Sequence, residues 1–296
     1  MTTNSFSATA NEPALYRVRQ LARQVSAPLT LLLAFCCCLI CLPAQAMPTV
    51  GQIMPELLPI AYSGGEKLTY AISYTGGLRL GTLTLTITAL PEPDHFQLRA
   101  FVSTDGGALA RIYPIHDLHM TTVVGQARLP VRYEVWQEEG RDYRAHRLTL
   151  YDQKNGLVTV RKNDEPPQEF PVGAPVHNEF SAFFASRLMP QRPGEDFLVP
   201  TFADKKKNEV VVRVLGQERL KKTILGEAAT HQVTPILKFR GLYDKRGDTV
   251  IWYTADECRL PVKINSKIVI GSLTARLIAY ENSHCPRYNG TGKRHK

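Results

Sequence analysis

Thr82-Leu83-Thr84-Leu85-Thr86-Ile87-Thr88 alternates a hydroxyl with an aliphatic side chain at every step. Successive side chains of a β-strand point to opposite faces, so this stretch reads as a strand with one buried apolar face and one threonine face. Upstream, Leu68, Tyr70, Ile72 and Tyr74 alternate in the same way and run into Thr75-Gly76-Gly77. The two segments are expected to pair as a hairpin.

Further alternating or β-branched runs lie at 95–103, 118–124, 131–137, 143–151, 157–161, 210–215, 232–239, 250–254, 262–270 and 273–280. Turn-forming clusters separate them, among them Pro91-Glu92-Pro93-Asp94, Lys154-Asn155-Gly156 and Lys245-Arg246-Gly247-Asp248. Strand follows strand through short connections. The expected fold is therefore all-β and mainly antiparallel, a curved sheet, half-barrel, β-roll or sandwich rather than a parallel α/β sheet. Gly81 and Gly271, set in strand contexts, predict the bulges or bends that a curled sheet needs.

One segment departs from period two. From Asn178 to Leu188 the apolar residues recur at three- and four-residue intervals behind an N-capping asparagine, which predicts a short helix over 178–188 ended by Met189-Pro190. Pro175, Pro190, Pro193, Gly194 and Pro200 surround it. The stretch 172–200 reads as a connection inside one domain.

The N-terminus reads as an export signal. Arg17, Arg19 and Arg23 precede an apolar run, Leu29 to Leu42, and the small-residue pattern Ala44-Gln45-Ala46 follows it. The run is shorter than the roughly 20 residues that cross a bilayer. Residues 1–46 are expected to be a cleaved signal peptide, 47–64 a linker, 65–285 one β domain and 286–296 a basic tail. The expected location is the periplasm, with no membrane span after cleavage. Cys36, Cys37, Cys38 and Cys41 fall in the leader without the triplet that precedes a lipidated cysteine. Cys258 and Cys285 remain, an even pair in an oxidising compartment, and a structural disulfide between them is expected.

The formal charge of +9 is spread along the chain. Simple solubility accounts for this balance; as a guide to partners in an exported protein, it favours anionic envelope components over nucleic acid. No Gly-x-Ser-x-Gly elbow, His-Glu-x-x-His helix, phosphate loop or dinucleotide fingerprint occurs. His116-Asp117-Leu118-His119 is the densest polar cluster, but on a strand only Asp117 and His119 share a face, too few for a metal. No catalytic residue, metal or cofactor is assigned. His177 and Ser181 stand one helical turn apart, a spacing better explained by helix capping than by a nucleophile and its base.

Tyrosine and tryptophan in strands combine a flat apolar face with a polar handle suited to sugar rings or lipid chains. The candidate contact surface comprises Tyr70, Tyr74, Trp136, Tyr143 and Trp252 on strands, with Phe180 and Phe184 on the helix.

The order of several short motifs resembles the DUF3108 family of bacterial exported proteins. They are Gly65-Glu66-Lys67-Leu68-Thr69-Tyr70 with Gly81 beyond it, Asn178-Glu179-Phe180-Ser181 opening onto Phe183-Phe184-Ala185-Ser186-Arg187, Ile251-Trp252-Tyr253-Thr254, Arg259-Leu260-Pro261-Val262-Lys263-Ile264 and Gly271-Ser272-Leu273-Thr274-Ala275. The resemblance implies an envelope-associated, mainly β protein of undefined biochemical role, and supplies no catalytic residues. The leading expectation is a non-enzymatic periplasmic protein, a monomer, that binds an apolar or amphiphilic envelope component such as a lipid or glycan, or an envelope protein. The alternative is a hydrolase or transferase of envelope polymers built from His116, Asp117, His119, His177, Glu179 and Ser181. An outer-membrane barrel is disfavoured, because threonines and charges occupy the alternate faces that a lipid-facing band needs apolar.

Overall fold

In the computed structural model the hairpin expected around Gly76 forms: β2 (Gly65–Tyr74) pairs antiparallel with β3 (Leu78–Ala89), placing Leu68 opposite Leu85 and Tyr70 opposite Leu83. The structure describes residues 48–104, 111, 113–173, 175–236, 249–268, 270–285 and 287–288. The signal-peptide reading of 1–46 lies outside them, as do the end of the 232–239 run and most of the basic tail.

The described strands form one sheet. Ahead of β2 come β1 (Thr49–Val50) and a helical turn over Pro55–Leu57 and Leu58–Ala61. After β3 the chain meanders through β4 (His95–Thr104), β5 (His116–Val124), β6 (Leu129–Glu139), β7 (Tyr143–Asp152), β8 (Leu157–Lys162) and β9 (Gln168–Pro171). Helix α1 (Glu179–Arg187) follows, and then β10 (Asp196–Ala203), β11 (Lys206–Thr223), β12 (Gly226–Ile236), β13 (Thr249–Thr254), β14 (Pro261–Lys267) and β15 (Ser272–Glu281). The spatial order is β1-β10-β11-β12-β13-β14-β15-β2-β3-β4-β5-β6-β7-β8-β9. The pairing of β15 with β2 joins two antiparallel meanders edge to edge. Among the described strand pairs only β1 on β10 is parallel.

The sheet curls until its far ends meet. The segment after β9 lies along β10, where the His177 amide donates to the Pro200 carbonyl at 2.8 Å and the Phe202 amide donates to the His177 carbonyl at 2.7 Å. Phe202 then packs against Tyr151 and Phe170, with ring centroids 6.3 and 5.6 Å away, inside a cluster that includes Tyr133, Val158 and Val176. β1 covers the other stretch of the same edge of β10, so little of that edge stays open.

Helix α1 lies inside the curl. Phe184 and Leu188 pack with Leu68, Tyr70, Leu85 and Ile87 of the first meander, while Ala185 packs with Val199, Val212, Val233 and Tyr253 of the second. Its start is set by a reciprocal cap. The Asn178 side chain accepts from the amides of Phe180 (3.0 Å) and Ser181 (2.8 Å), and the Ser181 hydroxyl accepts from the Asn178 amide at 2.9 Å. Such a cap satisfies amides that the first turn leaves without partners.

The disulfide forms between Cys258 and Cys285, with a Cα–Cα distance of 5.8 Å. β9 and β10 were not anticipated. The first is a short exposed strand with little apolar content, and Pro200 within β10 reads as a linker signal. A proline is tolerated there because that stretch of β10 has a ladder partner on one side and, on the other, only accepts a bond at its carbonyl. The span expected as a linker, 47–64, carries β1 and three buried residues, Leu57, Ala61 and Tyr62. No described helix is long and apolar enough to cross a membrane.

Candidate functional site

Inward-facing positions on both meanders leave a cavity of about 490 Å³ between the sheet and α1. Leu83 and Val102 form one wall, Val199, Val212, Val233 and Ile251 another, and Ile264 and Ala275 connect them. Phe180, Ala182, Phe183 and Ser186 of the helix complete it, and Ser103, Thr104, Thr249 and Ser266 add hydroxyls. Leu83, Val102, Phe183, Ile264 and Ala275 are interior residues that are nonetheless only half-buried. That combination means the cavity admits solvent-sized molecules and that its aliphatic wall is not satisfied by protein packing.

β3 bends where it lines this space. A bulge at Leu80 shifts the register between Ile72 and Ser73 of β2. Next to it, Gly81 brings the backbone so near β4 that a Cβ there would collide with the Ser103 carbonyl. The expectation of a bend at Gly81 thus holds, for a steric reason.

Of the seven aromatic candidates, only Phe180 lines the cavity. Phe184 is 1% exposed within the core. Tyr70 is fully buried and donates to the Pro261 carbonyl at 2.8 Å. Tyr74 donates to the Ile270 carbonyl at 2.9 Å near the β14–β15 turn. Trp136 stacks on His146 with centroids 5.0 Å apart, on the face opposite buried Tyr133 and Val135, and Tyr143 is exposed. Trp252 alternates with the inward Ile251 and Tyr253. Its indole N–H donates to Glu218 at 2.7 Å, and Lys263 lies 3.9 Å above its ring. The seven therefore do not form one surface. Sequence reasoning favoured aromatics, whereas the wall is aliphatic; alternation marks inward positions without showing whether the space between them is filled.

The six polar candidates also separate. His116 is exposed, and of the rest only Glu179 lines the cavity. Burial, then the neighbouring Glu139, pushes Asp117 up to about 6. Burial, then Arg147, lowers His119 to about 3, and its Nδ1 lies 2.9 Å from the Tyr133 hydroxyl. Burial also lowers His177 to about 4. His177 Nδ1 and Ser181 Oγ approach to 3.2 Å, yet that hydroxyl belongs to the helix cap and is 1% exposed. No acyl group could reach it from the cavity. Among the described residues, no three His, Cys, Asp or Glu side chains group in a way that could hold a metal ion.

Sequence reasoning missed the residues that tie the end of the helix to the sheet. Arg187 and Glu66, both fully buried, pair through two hydrogen bonds of 2.5 and 2.8 Å. Arg187 also donates to the carbonyls of Cys258 and Arg259, each at 2.7 Å. The helix, strand β2 and the disulfide loop are thereby tied at one point.

These features define a class, a curled antiparallel β protein that encloses an apolar cavity around an internal helix. The chain belongs to the family described as "Protein of unknown function (DUF3108)", whose model matches residues 69–278. Among solved structures it is similar to a β-barrel-like protein of the domain of unknown function DUF1849 from Brucella abortus, at 8% identity and a TM-score of 0.48, over 74% of this chain and 97% of that one. No curated protein matches.

Proposed function

We propose that this is an exported, non-enzymatic binding protein that takes an apolar or amphiphilic envelope component into the cavity of its curled sheet. The observation that carries the reading is the solvent-accessible aliphatic wall facing α1. Apolar surface left in contact with water favours an apolar occupant by roughly 25 cal/mol for each Å² that the occupant covers. Cavities of about 300–1,000 Å³ lined mainly by apolar side chains, with few polar groups, are the usual form of small-molecule sites.

A periplasmic location is supported by the N-terminal charge and hydropathy pattern and by the Cys258–Cys285 disulfide, a bond that persists in oxidising compartments. The separation of His116, Asp117, His119, His177 and Ser181 from the cavity wall speaks for binding over hydrolysis.

The test is titration of the purified protein with the neutral fluorophore N-phenyl-1-naphthylamine, alongside mass spectrometry of organic extracts. Saturable one-to-one binding that Ala275→Phe abolishes is expected, since the new ring would occupy the wall. Absence of binding, or binding undiminished by Ala275→Phe in a folded protein, would sink the reading.

A further inference from the structure

Among the described residues, Glu179 is the single ionisable side chain on the wall of the cavity. It opens helix α1, is half-buried, and its carboxyl hydrogen-bonds its own backbone amide, with no hydrogen bond or ion pair to another residue among the described ones. The wall hydroxyls are largely committed elsewhere. Ser186 donates to the Phe183 carbonyl at 2.9 Å, Thr201 donates to the Val199 carbonyl at 3.0 Å, and Thr249 and Ser266 bond each other at 2.9 Å. The Glu179 carboxyl is thus a polar group at the cavity wall that no other described residue engages by a hydrogen bond or ion pair.

We propose that the Glu179 carboxyl anchors the polar head of an uncharged long-chain amphiphile, an alcohol, ester or amide, whose chain lies along the aliphatic wall. This deepens the binding reading above and rests on it.

The charges around Glu179 select an uncharged head. Arg147 of β7 acts on it electrostatically, without an ion pair joining the two, and the Tyr133 and Tyr151 hydroxyls that its charge also reaches are neutral. Charge interactions at a half-buried position are stronger than in bulk water. A cationic head at Glu179 would sit in the field of Arg147. An anionic head would face a carboxyl group that could stay beside it only by remaining protonated. A hydroxyl, ester or amide meets neither penalty and matches a carboxyl group in either protonation state, because the protonated form both donates and accepts and the ionised form accepts. Burial raises the Glu179 pKa, which favours the protonated form and the pairing with a carbonyl or hydroxyl.

The experiment is displacement of N-phenyl-1-naphthylamine by dodecanol, dodecanoate and dodecylammonium, each below its micellar concentration. It is run on the wild type and on the Glu179→Leu and Glu179→Gln variants. Wild type is expected to bind dodecanol most tightly. Glu179→Leu should lose about tenfold for dodecanol, the value of one hydrogen bond. The circular dichroism spectrum and urea midpoint of each variant report that it is folded, and the dodecanol loss is read against its own fluorophore affinity. Glu179→Gln, which still donates and accepts, should retain most of the dodecanol affinity. A wild-type preference for either charged ligand, or equal dodecanol binding by wild type and Glu179→Leu, overturns the assignment while leaving the cavity reading standing. A wild type that fails to bind the fluorophore overturns both.

Discussion

Arg187, the last residue of α1, and Glu66, the second residue of β2, form a bidentate ion pair with neither side chain exposed to solvent. Tyr280 and Asn282 approach the same Glu66 oxygen at 3.3 and 3.4 Å. An ion pair taken out of water gains stability only when its remaining hydrogen-bonding positions are also filled, and here the carbonyls of Cys258 and Arg259 fill those of the guanidinium. The pair fixes the internal helix against the sheet at the end where the disulfide lies.

Removing one partner of that pair leaves a buried charge alone. Arg187→Met or Glu66→Leu is expected to destabilise the fold by about 3–5 kcal/mol in equilibrium urea unfolding. The double substitution should lose less than the sum of the two, since no uncompensated charge remains.

The disulfide closes a loop of 27 residues. Replacing both cysteines with serine should lower stability by roughly 3–4 kcal/mol in the chain-entropy model. Thermal unfolding of the wild type with and without reductant should reproduce most of that difference.

Gly81→Ala is predicted to weaken the fold by about 1–3 kcal/mol, because the new methyl group would force β3 away from the Ser103 carbonyl. Ala→Gly at Ala275, equally inside the sheet but facing the cavity, should cost only about 1 kcal/mol. Denaturant midpoints of the two variants give the comparison.

His177 is held neutral, its pKa lowered by burial to about 4. Because the unfolded chain takes up a proton near pH 6.5 and the folded one does not, this histidine's stabilising contribution is complete above that value. It declines as the pH falls from about 6.5 towards 4, at about 1.4 kcal/mol per pH unit. His119 acts in the same direction down to about 3, and Asp117, raised to about 6, acts in the opposite one. The isolated effect is therefore read as a difference. His177→Gln should flatten the dependence of urea stability on pH between 4 and 6.5 by the equivalent of one proton.

Trp136 and Tyr143 lie off the cavity wall. Trp136→Phe and Tyr143→Phe should leave fluorophore affinity within about twofold of wild type, a change of under 0.5 kcal/mol. Phe180→Ala, which removes a ring from the wall, should alter it measurably in the same titration.

Much of the architecture was legible where one rule acts locally. The threonine-aliphatic alternation at 82–88 gives β3 in its expected hairpin, the Asn178 cap starts α1 one residue later, and Cys258 pairs with Cys285. The closure was not legible. β9 and β10 owe their place to contacts made by His177 and Phe202 across the curl, and Pro200 argues against a strand until its carbonyl is seen accepting from outside the ladder. Nor does anything local to Glu66 or Arg187 mark them as partners, since each is one charge among many and they meet across 121 residues. The cavity was hidden for a different reason. Its wall residues follow the same pattern as packed core residues, and only the distance across the curl separates the two cases.

The seam between β15 and β2 joins residues such as Ser73 and Thr274, 201 positions apart along the chain. β2 can zip with β3 as soon as both exist, but its other edge must wait until the whole second meander has formed. Contacts of such long range slow folding, because the entropy of gathering the intervening chain is lost before the contact rewards it. The rate-limiting search in refolding is therefore expected to be this late docking of two preformed half-sheets. During that interval the bare edge of β2 is where another copy of the chain could attach by mistake.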